Sequence, residues 1–145
     1  MVTDVLDTLH QAIISGGSNI EPHQHLRQAE EILAKETLLV ASSDIIETAP
    51  VGFQYQPDFL NTAYLVETPL DRESFNRYLK SVEDRLGRVR GAIKSGPRTI
   101  DLDLVAWDGE LLTSDYFHYE YVSVPVNQIV AATGVQLHSP NDLSS

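Results

Sequence analysis

The chain has 145 residues, with 10 Lys+Arg against 21 Asp+Glu and a formal charge of -11. A hydrophobic content of 42% builds a core and excludes global disorder, while so acidic a surface disfavours non-specific binding to a phosphate backbone. The absence of cysteine removes disulfides, thiolate metal sites and Cys nucleophiles together.

In chain order, residues 1–10 form an extra N-terminal segment in which Val2, Val5, Leu6 and Leu9 fall at helical spacing and predict a short leading helix. A strand is expected from Gln11 to Ser15, ended by Gly16-Gly17-Ser18-Asn19. Pro22 suits a first helical turn, and Leu26, Ala29, Ile32 and Leu33 form one apolar stripe up to Lys35. The run Thr37–Thr48 reads as a strand, broken by Ala49-Pro50-Val51-Gly52, and Phe59–Glu67 as another. Asp71 is a candidate cap for a second helix, with Phe75, Tyr78, Leu79, Val82 and Leu86 on its buried face and Gly87 at its end. Ile100–Trp107 predicts a strand, Asp108-Gly109 a tight turn, Leu111 and Leu112 a short return, and Pro125–Ala132 a last helix. Residues 139–145 read as a polar tail.

This order predicts an α/β (α+β) fold. It is a ferredoxin-like split βαβ core, mainly antiparallel, with helices packed over one face of the sheet. A single domain over 1–145 is expected, with a radius of gyration of roughly 15 Å. No apolar run approaches the ~20 residues of a membrane span, and Met1-Val2-Thr3-Asp4 lacks the basic, apolar start of a secretion signal. The expectation is a cytoplasmic protein acting on small molecules, with no nucleic-acid or membrane partner; oligomeric state is left open.

Two features carry chemistry. In Asp101-Leu102-Asp103-Leu104 the alternation of a strand puts both carboxylates on one face and both leucines on the other. Paired carboxylates repel each other unless a cation intervenes, and hard oxygen ligands suit Mg²⁺, which takes one or two carboxylates plus phosphate oxygens. The bland alternative is a solvated edge strand. Just before it, Arg85, Arg88, Arg90, Lys94 and Arg98 supply five of the ten basic residues within fourteen positions that hold no Asp or Glu. Gly87, Gly91 and Gly96 suggest a mobile loop there. A cationic loop leading into a carboxylate strand suits polyphosphate chemistry. Weaker features are read as ordinary surface: His23 and His25 point apart at i,i+2, and His10, His118 and His138 have no second ligand at metal spacing. The Gly16–Asn19 run lacks a P-loop lysine.

Several of these segments together resemble the 6-hydroxymethyl-7,8-dihydropterin pyrophosphokinase family. They are Gly17-Ser18-Asn19, Pro50-Val51-Gly52, Gln56-Pro57-Asp58-Phe59-Leu60-Asn61, Gly87-Arg88-Val89-Arg90 and, five residues on, Gly96-Pro97-Arg98-Thr99-Ile100-Asp101-Leu102-Asp103. The resemblance implies transfer of the terminal diphosphate of ATP to the hydroxymethyl group of a reduced pterin, releasing AMP, in folate biosynthesis. It implies two Mg²⁺ ions on Asp101 and Asp103, and phosphate contacts from Arg88 and Arg98 of the mobile loop. Glu83 and Arg90 match further positions on the nucleotide side. Asn61 would read the pterin amide edge, with Phe59 nearby and Thr48, Val51 and Gly52 supplying wall and backbone contacts.

The chain departs from the family between Asp115 and Pro125. That segment is several residues shorter than the family's and holds no Arg or Lys. Under one placement of the gap, His118 and Tyr119 match the family's nucleotide-contacting His and its neighbour, and Tyr121 replaces an aromatic that stacks on the pterin. Under another placement they match nothing. Ser95 stands where the family often carries an aromatic. The alternative implied by these departures is a degenerate paralogue that binds nucleotide, pterin or a protein partner without efficient catalysis.

Overall fold

The structure is a computed structural model and describes residues 9–88 and 96–140. Most of the leading-helix expectation, Arg90, Lys94, Ser95, the 89–95 part of the proposed mobile loop and the end of the tail lie outside the described residues.

The first strand, β1 (His10–Ser18), runs three residues beyond its expected end. Gly16 and Gly17 belong to the ladder, paired on both sides, and a Cβ on Gly16 would lie 3.0 Å from the Tyr64 ring. Helix α1 (Pro22–Glu36) begins with the proline and buries Leu26, Ala29 and Leu33, as the stripe predicts. The expected Thr37–Thr48 strand is two short strands, β2 (Leu38–Ser42) and β3 (Ile46–Thr48). Both pair with β4 (Phe59–Thr68). Between them Ser43 keeps one backbone bond, its N–H donating to Ala63 O at 2.9 Å, but its Oγ accepts from Ala63 N at 2.8 Å, so a side chain replaces the return ladder bond and the strand divides.

Helix α2 (Arg72–Arg85) is capped by Asp71, whose carboxylate accepts from Ser74 N at 2.7 Å. Gly87, at φ +90, takes the left-handed conformation that stops the helix after Leu86. Strand β5 (Asp101–Trp107) and the two-residue β6 (Glu110–Leu111) follow. A short helix α3 (Asp115–His118) precedes α4 (Glu120–Thr133). The last helix thus begins five residues before the expected Pro125 and holds that proline internally. Burial of Val122, Pro125, Val126 and Ile129 along one face offsets the missing N–H.

The sheet order is β2-β4-β1-β5-β6 with β3 also on β4, and every strand pair is antiparallel. Each βαβ unit has another strand inserted between its two strands, which is the split arrangement expected. The one-face layering is corrected. Helices α1 and α2 cover one face through Leu33, Phe75, Leu79, Ile14, Tyr64 and Leu102. Helix α4 covers the other, packing Val122, Val126 and Ile129 on Ile13, Ala63, Leu65 and Val105. Among the described residues no helix is long and apolar enough to cross a membrane.

Candidate functional site

The face under α4 changes character along its strands. At one end Ile13, Leu65, Ala63 and Val105 are apolar and roofed by the helix. Two residues further along each strand come Ser15 and Gly17 on β1, Asn61 and Phe59 on β4, and Asp103 and Asp101 on β5. These line an open cleft of about 540 Å³, within the roughly 300–1,000 Å³ usual for small-ligand sites. Period-two alternation therefore places the apolar half of the face under a helix and leaves the polar half for a ligand.

One wall carries Thr48, Ala49, Val51, Phe59 and Asn61. Asn61 is buried, and its Nδ2 donates to Thr48 Oγ1 at 2.6 Å. Its carboxamide oxygen lies over Gly17, where a Cβ would stand only 2.9 Å away. Gly17→Ala is expected to push the carboxamide off this position. Affinity for any small molecule that hydrogen-bonds this carboxamide should fall roughly tenfold, about the loss of one buried hydrogen bond. A crystal structure of the variant checks the displaced carboxamide, alongside a melting curve that stays near wild type.

The other wall is electrostatic. Asp101 and Asp103 lie on β5 opposite Gly17 and Ser15. Arg88 Nη1 donates to Asp101 Oδ1 at 2.9 Å and also lies 3.0 Å from Glu83 Oε1. Arg98 Nη1 stands 3.5 Å from Asp101 Oδ2. Lys80 Nζ is 3.3 Å from Asp103 Oδ1. Beneath them Glu83 is fully buried, and its Oε2 accepts the Leu102 N–H at 2.6 Å. Strand β5 has no strand partner on its outer side at Leu102 among the described residues, since β6 reaches only Ala106 and Trp107. Glu83 and Lys80 supply that edge instead, Lys80 Nζ donating to Leu102 O at 3.2 Å.

Partial burial, then repulsion from Asp101, pushes the Asp103 carboxyl up to about 7, with Lys80 pulling the other way. Below that pH a proton occupies the group and competes with any cation. Divalent-metal affinity of the protein alone is therefore expected to fall as pH drops from 7.5 to 5.5, with proton release on binding near neutrality. Calorimetry in buffers of different ionisation enthalpy checks both signs. Tyr121 also lines the cleft, and burial followed by Asp115, Tyr119, Asp101 and Asp103 pushes its phenol up to about 12.

A buried side chain ties the loops around this site. Asn19 Oδ1 accepts from Arg98 N at 2.8 Å, while its Nδ2 donates to Gln56 Oε1 at 2.8 Å and Pro57 O at 3.0 Å. It thus joins the end of β1, the 56–57 turn and the arginine beside Asp101.

The cleft thus gathers Thr48, Val51, Phe59, Asn61, Arg98, Asp101, Asp103 and Tyr121 from the expected set. Arg88 lies beside it on Asp101, and Glu83 lies beneath it. Gly52, at φ +88, is in the exposed turn after Val51. His118 is exposed on α3 and does not line the cleft, and Tyr119 packs against Tyr121 at 5.2 Å between ring centres. Lys80 and Asn76 of α2, and Asp115, are residues that sequence reasoning missed. A Lys three residues before a Glu on a helix signals only an ordinary surface pair.

The donor set fits Mg²⁺. Two hard carboxylates attract three cationic side chains, and among the described residues no third His, Cys, Asp or Glu completes an all-protein cage. An ion held there would draw its remaining ligands from water and phosphate.

The family model for 7,8-dihydro-6-hydroxymethylpterin-pyrophosphokinase (HPPK) matches residues 13–131. The chain is 36% identical over 107 residues to the 2-amino-4-hydroxy-6-hydroxymethyldihydropteridine pyrophosphokinase of Bacillus subtilis, covering 72% of this chain and 64% of that protein. It is 32% identical over 131 residues to the Haemophilus influenzae protein of the same name, covering 83% and 81%. Against the mitochondrial folate synthesis bifunctional protein of Arabidopsis thaliana it is 35% identical over 114 residues, 77% of this chain but 20% of that protein. With most of β1 through most of α4 inside the match, and with the carboxylate pair, its arginines and Asn61 meeting at one cleft, the chain belongs to the HPPK family.

Proposed function

We propose that this chain transfers diphosphate from ATP to the hydroxymethyl group of 6-hydroxymethyl-7,8-dihydropterin in folate synthesis. The hydroxyl oxygen bonds to the β-phosphorus, the bridge to the α-phosphate breaks, AMP leaves, and the hydroxyl proton passes to solvent. The observation that carries this reading is the pairing, across one cleft, of the cation-loaded carboxylates Asp101 and Asp103 with the Asn61–Thr48 wall.

Asp101 and Asp103 are the residues that would hold Mg²⁺, as a pair of ions, and the metal would supply charge neutralisation on the reacting phosphates. Arg88 and Arg98, now on Asp101, are the groups that pass to phosphate oxygens when metal and nucleotide arrive. Arg90 matches a further position of the family's nucleotide side. Glu83 acts through Arg88, holding the guanidinium in place from below. Asn61 discriminates the pterin by its amide edge, since an analogue lacking that edge leaves a buried carboxamide unpaired. Phe59, Val51 and Gly52 form the adjoining wall. Tyr121 is the aromatic for the ring face, with Tyr119 packed against it, while His118 stands outside the cleft and takes no part in this reading. Catalysis of this kind is positioning and charge compensation. The absence of cysteine from the sequence favours a reducing, cytoplasmic setting.

The degenerate-paralogue reading arose from the short Asp115–Pro125 segment. It is not favoured, because the family match runs through that segment to residue 131. The test is AMP formation from ATP, Mg²⁺ and 6-hydroxymethyl-7,8-dihydropterin. Stoichiometric AMP and pterin diphosphate are expected. Calorimetric binding of both substrates with no AMP above background would overturn the proposal.

A further inference from the structure

The cleft contains a cation that comes from α2 and belongs neither to the arginine loop nor to the Asp115–Pro125 segment. Lys80 Nζ lies 3.3 Å from Asp103 Oδ1, 3.2 Å from Leu102 O and 3.4 Å from Glu83 Oε2. All three contacts are at the long end of hydrogen-bond range, whereas Arg88 is held at 2.9 and 3.0 Å between Asp101 and the buried Glu83. The Lys80 side chain is 38% exposed and lines the cavity. An ammonium on a four-carbon stem with three rotatable donors can change acceptors at small cost. Across the cleft, residues 115–125 supply no Arg or Lys.

From these facts we infer that Lys80 is an exchangeable cation of the site. Without metal it neutralises Asp103. When the metal–ATP complex enters, it gives up Asp103, keeps Leu102 O as a pivot and takes a phosphate oxygen. It thereby provides a positive charge that the 115–125 segment lacks. Two consequences have opposite signs. Lys80 competes with a bare divalent cation for Asp103, and it strengthens the binding of the nucleotide. A residue that merely braced the β5 edge would produce neither.

The inference rests on the proposed nucleotide chemistry, and its test is separable from it. Mn²⁺ alone, and Mn²⁺ with the non-cleavable α,β-methylene ATP, are titrated calorimetrically into wild type, Lys80→Gln and Lys80→Arg. Lys80→Gln is expected to bind Mn²⁺ alone several-fold more tightly and the nucleotide about tenfold or more weakly, the loss of one charge-assisted contact. Lys80→Arg should restore most nucleotide affinity. Acylation of the wild type by an N-hydroxysuccinimide ester, read by mass spectrometry, keeps the test open should a variant not fold. Mn²⁺ alone should speed labelling of Lys80 and the nucleotide complex should slow it, with the exposed Lys35 as internal control. Unchanged Mn²⁺ and nucleotide affinities in Lys80→Gln, or Lys80 labelling indifferent to both ligands, would overturn the inference. Wild-type AMP formation accompanying that result would leave the proposed function standing.

Discussion

Asp101→Ala and Asp103→Ala are each expected to reduce AMP formation by at least about 10²–10³-fold, the scale seen when one charge-stabilising group is removed from a preorganised site. Asp101 organises both arginines, Arg88 at 2.9 Å and Arg98 at 3.5 Å, while Asp103 faces the cleft with Lys80. The fold should survive both changes. Each carboxylate stands at the cleft and repels the other, Arg88 retains Glu83, and Lys80 retains Glu83 and Leu102 O. Melting temperatures within a few degrees of wild type, with Mn²⁺ binding lost, are the expected signature. Turnover near wild type in either variant would remove the carboxylate pair from the mechanism.

Glu83→Ala is expected to act in the opposite way, through the fold first. Its carboxylate is fully buried, accepts Leu102 N at 2.6 Å, and lies 3.0 Å from Arg88 Nη1 and 3.4 Å from Lys80 Nζ. Truncation takes from a largely buried guanidinium its buried counter-ion, leaving it Asp101, and leaves a strand-edge N–H without its acceptor. Removing one partner of a buried ion pair typically costs about 3–5 kcal/mol, which for a chain of this size lowers the melting temperature by roughly 6–20 °C. Glu83→Gln retains an oxygen for Leu102 N and should lose less stability. It should still lose activity, because Arg88 is no longer balanced from below. Thermal melts of both variants decide the matter: an unchanged melting temperature in Glu83→Ala would show that Arg88 and Leu102 find other partners.

Much of the architecture was legible because local chemistry and burial agree there. Asp71 caps α2 and Gly87 ends it, with Phe75, Leu79 and Val82 buried between them. The alternation of Asp101, Leu102, Asp103 and Leu104 came out as read, with Leu102 in the α1–α2 core and both aspartates in the cleft. Two elements differ from the local reading, each for its own reason. Pro125 looked like a helix start because proline favours a first turn, yet α4 begins at Glu120 because its apolar stripe packs on a sheet face that a split βαβ alone would leave bare. The Thr37–Thr48 run divided because Ser43 competes with the ladder for β4.

The sequence by itself determined the chemical inventory: two carboxylates two residues apart on a strand, a cluster of arginines before them, and an Asn beyond a turn. Those patterns are local, set by the period of a strand and by charge counted along the chain. Which groups meet was decided only by tertiary structure. Lys80 reaches Asp103 across 23 residues because α2 lies along the open edge of β5. Glu83 is buried because that same edge offers an unpaired N–H at Leu102. Asn19 joins loops at 56–57 and 98 because β1 is the central strand of the sheet. Contacts between residues far apart in the chain depend on sheet order and helix placement, and neither periodicity nor spacing encodes them.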